Sequence, residues 1–366
     1  MPLLSMKTKT KLLMALGVYS ATSYYFLRHP ELLHRKKDKL KLPQLQAGQT
    51  HYVIAHRGGS LENPENTLQA FQHAVNNGVH ILETDVRLTK DGELLTFHDA
   101  DFHRLSGQDN SVNDTHYEQM PQIQDQIPLH FSKNERFHLQ QHHQRTFTTL
   151  EELFQSIPKE VVVQIEIKEQ NNEQAIRKTL DLINKYQRQS TTIIGVQAEE
   201  CARRIHEMDP EIPKFISAGN AVKYFGYYLC GLMPFVHVYE DVASLPYMTR
   251  DYVNMKLIEA KTISWKYYLY IVGASLINYT LNPMLTHLNK RGVFTNYWVI
   301  NDDDEILKIM RTTTVQAVMT DRPTRAQQLV DQKAQENIRI KEELIKFYEQ
   351  EQQQLGVNHN SNERVV

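Results

Sequence analysis

The chain has 366 residues, enough for one large domain or two ordinary ones, since a single barrel runs to about 250 residues. Its 41 lysines and arginines against 43 aspartates and glutamates leave a net charge of -2, which excludes a whole-chain basic field for nucleic acid. Two cysteines, Cys201 and Cys230, exclude a disulfide framework and a four-thiolate metal site, so any metal must be held by oxygen or imidazole.

The first apolar stretch, Leu12 to Leu27 (LLMALGVYSATSYYFL), follows lysines at 7, 9 and 11 and precedes the cluster Arg28, Arg35, Lys36, Lys37, Lys39 and Lys41. It falls short of the roughly 20 residues that span a bilayer, yet it exceeds a signal-peptide core and lacks a clear small-residue cleavage site. An uncleaved single-pass anchor over about residues 12–27 is the first expectation and a signal peptide the second. The heavier positive charge after the segment places the rest of the chain in the cytosol by the positive-inside rule. Sequons at Asn113 and Asn278 point the other way. The expected organisation is an anchor and basic linker (1–50), a catalytic domain (51–330) and a charged helical tail (331–366).

From residue 52 onward strand-like and helix-like segments alternate, as in a parallel sheet with crossover helices. Candidate strands are Tyr52–His56, Ile81–Val86, Leu94–His98, Val161–Lys168, Thr191–Val196, Lys214–Ser217, Val253–Ile258, Val293–Val299 and Ala317–Thr320. Asp91-Gly92 is a hairpin signal, so the third strand returns antiparallel to the second and eight parallel strands remain. That count predicts an α/β fold, a TIM-type (β/α)8 barrel with an inserted β-hairpin and loop. Helices are expected over Asn66–Asn77 and Glu173–Tyr186, where apolar residues recur at helical spacing. The His- and Gln-rich run Asp99–Arg145 reads as an insertion capping the site. The apolar clusters Tyr224–Tyr239 and Tyr267–Tyr279 read as buried helix ahead of lipid contact, and Ala326–Gln354 as a solvated helix.

The chemistry-bearing residues sit at strand ends. His56 and Arg57 close the first strand, where barrel enzymes place catalytic groups. Glu83 and Asp85 alternate on the second strand and therefore share a face. Two buried carboxylates on one face repel unless a cation lies between them. Glu166 and Lys168 repeat the spacing on a later strand, and three carboxylates suit a hard divalent cation, Mg2+ or Ca2+. His98 adds a second imidazole, and two imidazoles titrating near neutrality can act as general acid and general base.

The blocks HRGGSLENPENT, ETDVRLTKDGELLTFHDADFHRLSG, IEIK, NYWVIND and AVMTDRP, in that order and spacing, resemble the glycerophosphodiester phosphodiesterase family over about residues 51–330. The apolar N-terminal segment and YLCGLMPFV are similar to its membrane-anchored lysophospholipase D subgroup. The resemblance implies metal ligands Glu83, Asp85 and Glu166, acid–base residues His56 and His98, and phosphate- or substrate-binding residues Arg57, Lys168, Glu65 and Trp298. Asn66 falls in the same PENT block as Glu65. No matched catalytic position is substituted. Thr84 stands where an apolar residue is commoner and should face outward. The family's reaction, attack by a neighbouring glycerol hydroxyl to give a cyclic phosphate that water opens, requires a free hydroxyl beside the phosphate. Lysophospholipids have one, which implies a membrane-anchored lysophospholipase D that releases choline, ethanolamine or an N-acylethanolamine and leaves lysophosphatidic acid or its cyclic form, with the endoplasmic reticulum as the expected site. Glycerophosphocholine-type substrates giving glycerol-3-phosphate are the alternative, and an inactive tethered binding protein is a third. The sequence points to no protein partner.

Overall fold

A computed structural model of the protein describes residues 6–129, 135–169, 172–249, 252–253 and 265–354. Its strands are β1 (Tyr52–Ala55), β2 (Ile81–Leu88), β3 (Leu94–Thr96), β4 (Gln126–Pro128), β5 (Arg136–His138), β6 (Val162–Ile167), β7 (Thr192–Gly195), β8 (Val242–Pro246), β9 (Phe294–Trp298) and β10 (Ala317–Thr320). The main sheet runs β7-β6-β2-β1-β10-β9-β8 with every neighbouring pair parallel. Isolated parallel bridges join Ile194 to Lys214 and Phe215 to Val242, so residues 214–215 occupy the remaining position between β7 and β8. The result is the expected barrel. β3 returns antiparallel on β2, as Asp91-Gly92 predicted.

The strand expected at Val253–Ile258 needs correction. The barrel takes its next strand at Val242–Pro246. Val253 lies in a short helical turn, and residues 254–258 lie outside the described residues. VASLP shows no alternation because both of its faces are covered: Val242, Ala243 and Leu245 are all buried.

Interior positions of successive strands form a barrel core of Ile54, Ile81, Val162, Ile193, Phe215, Val242, Phe294, Ala317 and Met319. Leu40 and Leu42 of the basic linker pack against this cluster. The outer helices cover the strands with amphipathic faces. α2 (Leu68–Asn76) starts where Thr67 accepts a hydrogen bond from the Ala70 N–H, and it buries Ala70, Phe71 and Ala74. α4 (Leu150–Ser156) opens on a capping box between Thr149 and Glu152, and α5 (Glu173–Lys185) buries Ile176, Leu180 and Ile183. The insertion holds the short helix α3 (His103–Ser106) and the β4–β5 hairpin over its own small core of Phe97, Phe102, Leu105, Val112, Ile123, Ile127 and Phe147.

The N-terminal apolar run is helical, as α1 (Met6–Arg28), but the anchor expectation is overturned. Among the described residues no helix is long and apolar enough to cross a membrane. Lysines occupy the first turns of α1, and Ser20, Thr22, Ser23 and the tyrosines dilute the rest. Tyr19 and Ser23 donate to the carbonyls of Cys230 and Gly231, each at 2.5 Å, while Phe26 meets Phe235 edge-on. The basic linker docks likewise. Lys37 lies 3.4 Å from Asp241 and donates to the Tyr239 carbonyl, and Lys39 donates to the Pro210 carbonyl. Two of these charges thus grip the barrel, and without a helix fit to cross a membrane the single-pass topology loses its basis, together with the cytosolic orientation and the endoplasmic reticulum location that rested on it.

The aromatic cluster Tyr224–Tyr239 divides between α7 (Ala218–Leu229), which follows α6 (Glu199–Met208), and a turn at Met233–Phe235. It buries Tyr224, Met233 and Val238 and exposes Tyr227, Leu229 and Phe235. The cluster Tyr267–Tyr279 falls within α8 (Trp265–Lys290). After α9 (Asp303–Thr312), the described residues close with α10 (Pro323–Gln354). Ala326, Leu329, Val330 and Ala334 of α10 are buried, whereas its side chains from Ile338 through Glu351 are exposed.

Candidate active site at the mouth of the barrel

β1 ends in a tight turn that aims its residues inward. Arg57 has φ 51° and ψ 32°, and Gly58 and Gly59 follow at φ 79° and 107°. A side chain at Gly58 would meet the Ala70 Cβ at 2.8 Å, and one at Gly59 the Pro323 ring at 2.7 Å, so both positions need glycine. A left-handed Arg57 costs about 1–2 kcal/mol. The turn directs its N–H to Glu83 Oε2 at 2.9 Å. It is held from outside as well: Asn66, itself at φ 56°, donates its N–H to the Arg57 carbonyl, and the outward Thr84 donates to Asn66 Oδ1 at 2.9 Å.

Glu83, Asp85 and Glu166 converge, each offering an oxygen within 4.8 Å of the others. In the parallel register Asp85 stands opposite Glu166, which places all three side chains on the barrel interior. Lys168 lies 2.9 Å from Asp85 and 3.0 Å from Glu166, and Gln197 donates to Glu166. Burial and the neighbouring Asp85 push the Glu83 carboxyl above its usual range. Burial opposes ionisation of Asp85 too, but Lys168, His98 and Arg57 outweigh it and hold that carboxyl low. Asp85 Oδ2 is buried without a hydrogen-bond partner. A raised acid beside a carboxylate oxygen that accepts no hydrogen bond, and has the Arg57 Nε 3.2 Å away as an ion pair, fits a divalent cation at this point.

Both imidazoles are held the same way. His56 Nδ1 lies 2.6 Å from Asp321 Oδ1, and His98 Nδ1 lies 2.6 Å from Asp99 Oδ1. A carboxylate on Nδ1 fixes the tautomer and directs Nε2 to the chemistry. Asp321 is fixed in turn by Ser60 at 2.6 Å and Asn301 at 2.9 Å. The environments differ. Burial pushes His56 toward neutrality but Asp321 outweighs it, so its pKa is raised. Burial and the positive Arg57 lower that of His98.

Arg57 is 2% exposed, donates to Glu65 Oε1 at 2.9 Å and lies 3.2 Å from Asp85. Both oxygens of Glu65 are engaged by Arg57 and Arg104. Trp298 ends β9, pairs in register with Pro246 and meets Tyr252 edge-on at 5.5 Å. Sequence reasoning missed Asp321, Ser60, Asn301, Asp99, Gln197 and Arg104. For Asp321 a signal existed, its place in TDRP just past the last barrel strand. Arg104 reaches Glu65 from the insertion, and local spacing carries no signal for that contact.

The chain is similar to known proteins over most of its length. The profile of the Glycerophosphoryl diester phosphodiesterase family matches residues 56–325. Lysophospholipase D GDPD1 of Mus musculus is 31% identical over 314 residues, covering 86% of this chain and 94% of that protein. The human protein of the same name is 30% identical over 321 residues, covering 86% and 94%. Among solved structures, a glycerophosphoryl diester phosphodiesterase domain from Mycobacterium tuberculosis superposes with a TM-score of 0.56 at 14% identity, covering 76% of this chain and 98% of that one. A phosphodiesterase from Oleispira antarctica, solved in complex with the product sn-glycerol-3-phosphate, gives 0.51 at 19%, covering 76% and 96%. The chain belongs to the glycerophosphoryl diester phosphodiesterase family and is a phosphodiester hydrolase.

Proposed function

We propose that the protein is a lysophospholipase D, hydrolysing the phosphodiester of a lysophospholipid to lysophosphatidic acid and a free alcohol. The observation that carries the substrate class is the similarity to the lysophospholipase D of Mus musculus over 94% of that protein, a stretch of 314 residues that extends past the family match at residues 56–325. Glu83, Asp85 and Glu166 would hold a hard divalent cation, Mg2+ or Ca2+, as suits oxygen ligands. When bound, such a cation supplies positive charge to the phosphoryl oxygens.

The remaining chemistry belongs to the chain itself. His56 and His98 form the acid–base pair. One accepts at Nε2 the proton of the glycerol hydroxyl beside the phosphate, and the other donates its Nε2 proton to the departing alcohol oxygen. Asp321 and Asp99 keep both rings in the required tautomer. Arg57 and Lys168 supply cations at the phosphodiester, Glu65 keeps the Arg57 guanidinium in place, and Trp298 walls the glycerol end. Attack by a neighbouring hydroxyl makes the step intramolecular and gives a cyclic phosphate, which water then opens to lysophosphatidic acid.

The test is product analysis with the purified full chain and a divalent cation. Choline and lysophosphatidic acid, or its cyclic form, should accumulate from lysophosphatidylcholine. Turnover of glycerophosphocholine with none of the lysolipid would assign the protein to water-soluble glycerophosphodiesters instead.

A further inference from the structure

Arg104 belongs to the insertion by its backbone and to the active site by its side chain. It lies on α3, next to Leu105 of the insertion core, and its carbonyl accepts from Gln124 Nε2 at 2.8 Å. Its guanidinium leaves that setting and forks. Nε donates to Asp99 Oδ2 at 2.6 Å, while Nη1 and Nη2 donate to the two oxygens of Glu65, each at 2.7 Å. Nη1 also reaches the Pro128 carbonyl on β4 at 3.2 Å.

The two carboxylates that Arg104 bridges are those that orient the site. The other oxygen of Asp99 holds His98 Nδ1 at 2.6 Å, and Oε1 of Glu65 holds Arg57 Nη1 at 2.9 Å. A continuous chain of hydrogen-bonded side chains therefore runs His98–Asp99–Arg104–Glu65–Arg57, with Arg104 as its central member. Glu65 is 3% exposed, and a planar guanidinium can serve two carboxylates at fixed angles where an ammonium cannot.

We propose that Arg104 is a positioning residue that fixes the His98 imidazole relative to the Arg57 guanidinium, which makes the insertion a working part of the active site. The inference rests on the acid–base reading of His98 and the phosphate reading of Arg57. Arg104 itself exchanges no proton and touches no substrate. Without it, Asp99 and Glu65 each lose the bond that orients them, and the two groups they steer move independently.

The test uses the full chain and compares Arg104→Ala, Arg104→Lys and Asp99→Asn with the parent, measuring kcat, KM, Tm and rescue by added guanidinium. Loss of a supporting bond of this kind should lower kcat of Arg104→Ala about 10- to 100-fold. KM should change less, because the substrate still meets Arg57. Arg104→Lys should fall between, millimolar guanidinium should restore part of the Arg104→Ala rate, and combining Asp99→Asn with Arg104→Ala should cost little beyond either alone. A kcat for Arg104→Ala within about threefold of the parent overturns the proposal, as does a loss matched by a fall in Tm and untouched by guanidinium. His98→Ala and Arg57→Ala serve as controls. If they retain parental activity, the acid–base and phosphate readings fail on their own, whatever Arg104 does.

Discussion

His56 Nδ1 and Asp321 Oδ1 stand 2.6 Å apart across the seam between β1 and β10, the neighbouring strands on which the chain begins and completes its barrel. The residues are separated by nearly the full domain in sequence, and the parallel register of Ala55 opposite Thr320 brings them together. Asp321 is buried and receives Ser60 and Asn301 as well, so its geometry is over-determined.

Asp321→Asn should therefore damage catalysis more than stability. The amide keeps the shape but loses the charge that raises the His56 pKa, and kcat should fall about 10- to 100-fold. The Tm should stay close to that of the parent. Steady-state kinetics beside a thermal melt checks both halves.

Glu83→Gln should separate stability from function in the opposite sense. The folded-state pKa of Glu83 is raised by burial and by Asp85, so the ionised carboxylate destabilises the metal-free fold above its unfolded pKa. The amide still accepts the Arg57 N–H. In chelator-treated protein at pH 7 the variant should melt higher than the parent. A divalent cation should raise the Tm of the parent through mass action and leave the variant unmoved. Differential scanning calorimetry with and without cation measures the crossing.

Acid should weaken the fold through two buried histidines far from this chemistry. Burial pushes His51 and His287 down to about 4, and the His287 Nε2 is buried without a partner. The unfolded chain binds more protons than the folded one between these values and the ordinary histidine pKa. Stability is thus full above about pH 6.5 and lost as pH falls toward 4, by up to about 3 kcal/mol per histidine. Urea midpoints measured from pH 7 to 5 should fall steeply for the parent and less steeply for the double variant His51→Gln, His287→Gln.

The barrel was legible because its strands are short, apolar and buried on both faces, and because Asp91-Gly92 explained the surplus strand. The carboxylate cluster was legible because i, i+2 spacing fixes which face a strand residue takes, for Glu83 with Asp85 and for Glu166 with Lys168. β8 escaped because VASLP has neither alternation nor bulk. The N-terminal helix was misread as an anchor because a hydropathy run records composition, whereas the contacts of Tyr19, Ser23 and Lys37 with distant carbonyls decide where the segment sits. Asp321 and Arg104 act across the fold, and no local pattern pairs them with His56 or Glu65.

Leu40 and Leu42 give that N-terminal segment a structural task, since both pack on the barrel core from the linker. Truncating the two together to alanine should cost about 1–3 kcal/mol, below the range for fully buried leucines, and leave kcat unchanged. Denaturant unfolding monitored beside activity tests the separation.

The central claim is that Glu83, Asp85 and Glu166 hold the cation of a phosphodiesterase site. Anomalous diffraction from crystals grown with Mn2+ tests it most directly. The account predicts one strong peak about 2.0–2.4 Å from a carboxylate oxygen of each residue, lost in Asp85→Asn. A fully active enzyme whose crystals show no peak among these three side chains would contradict it.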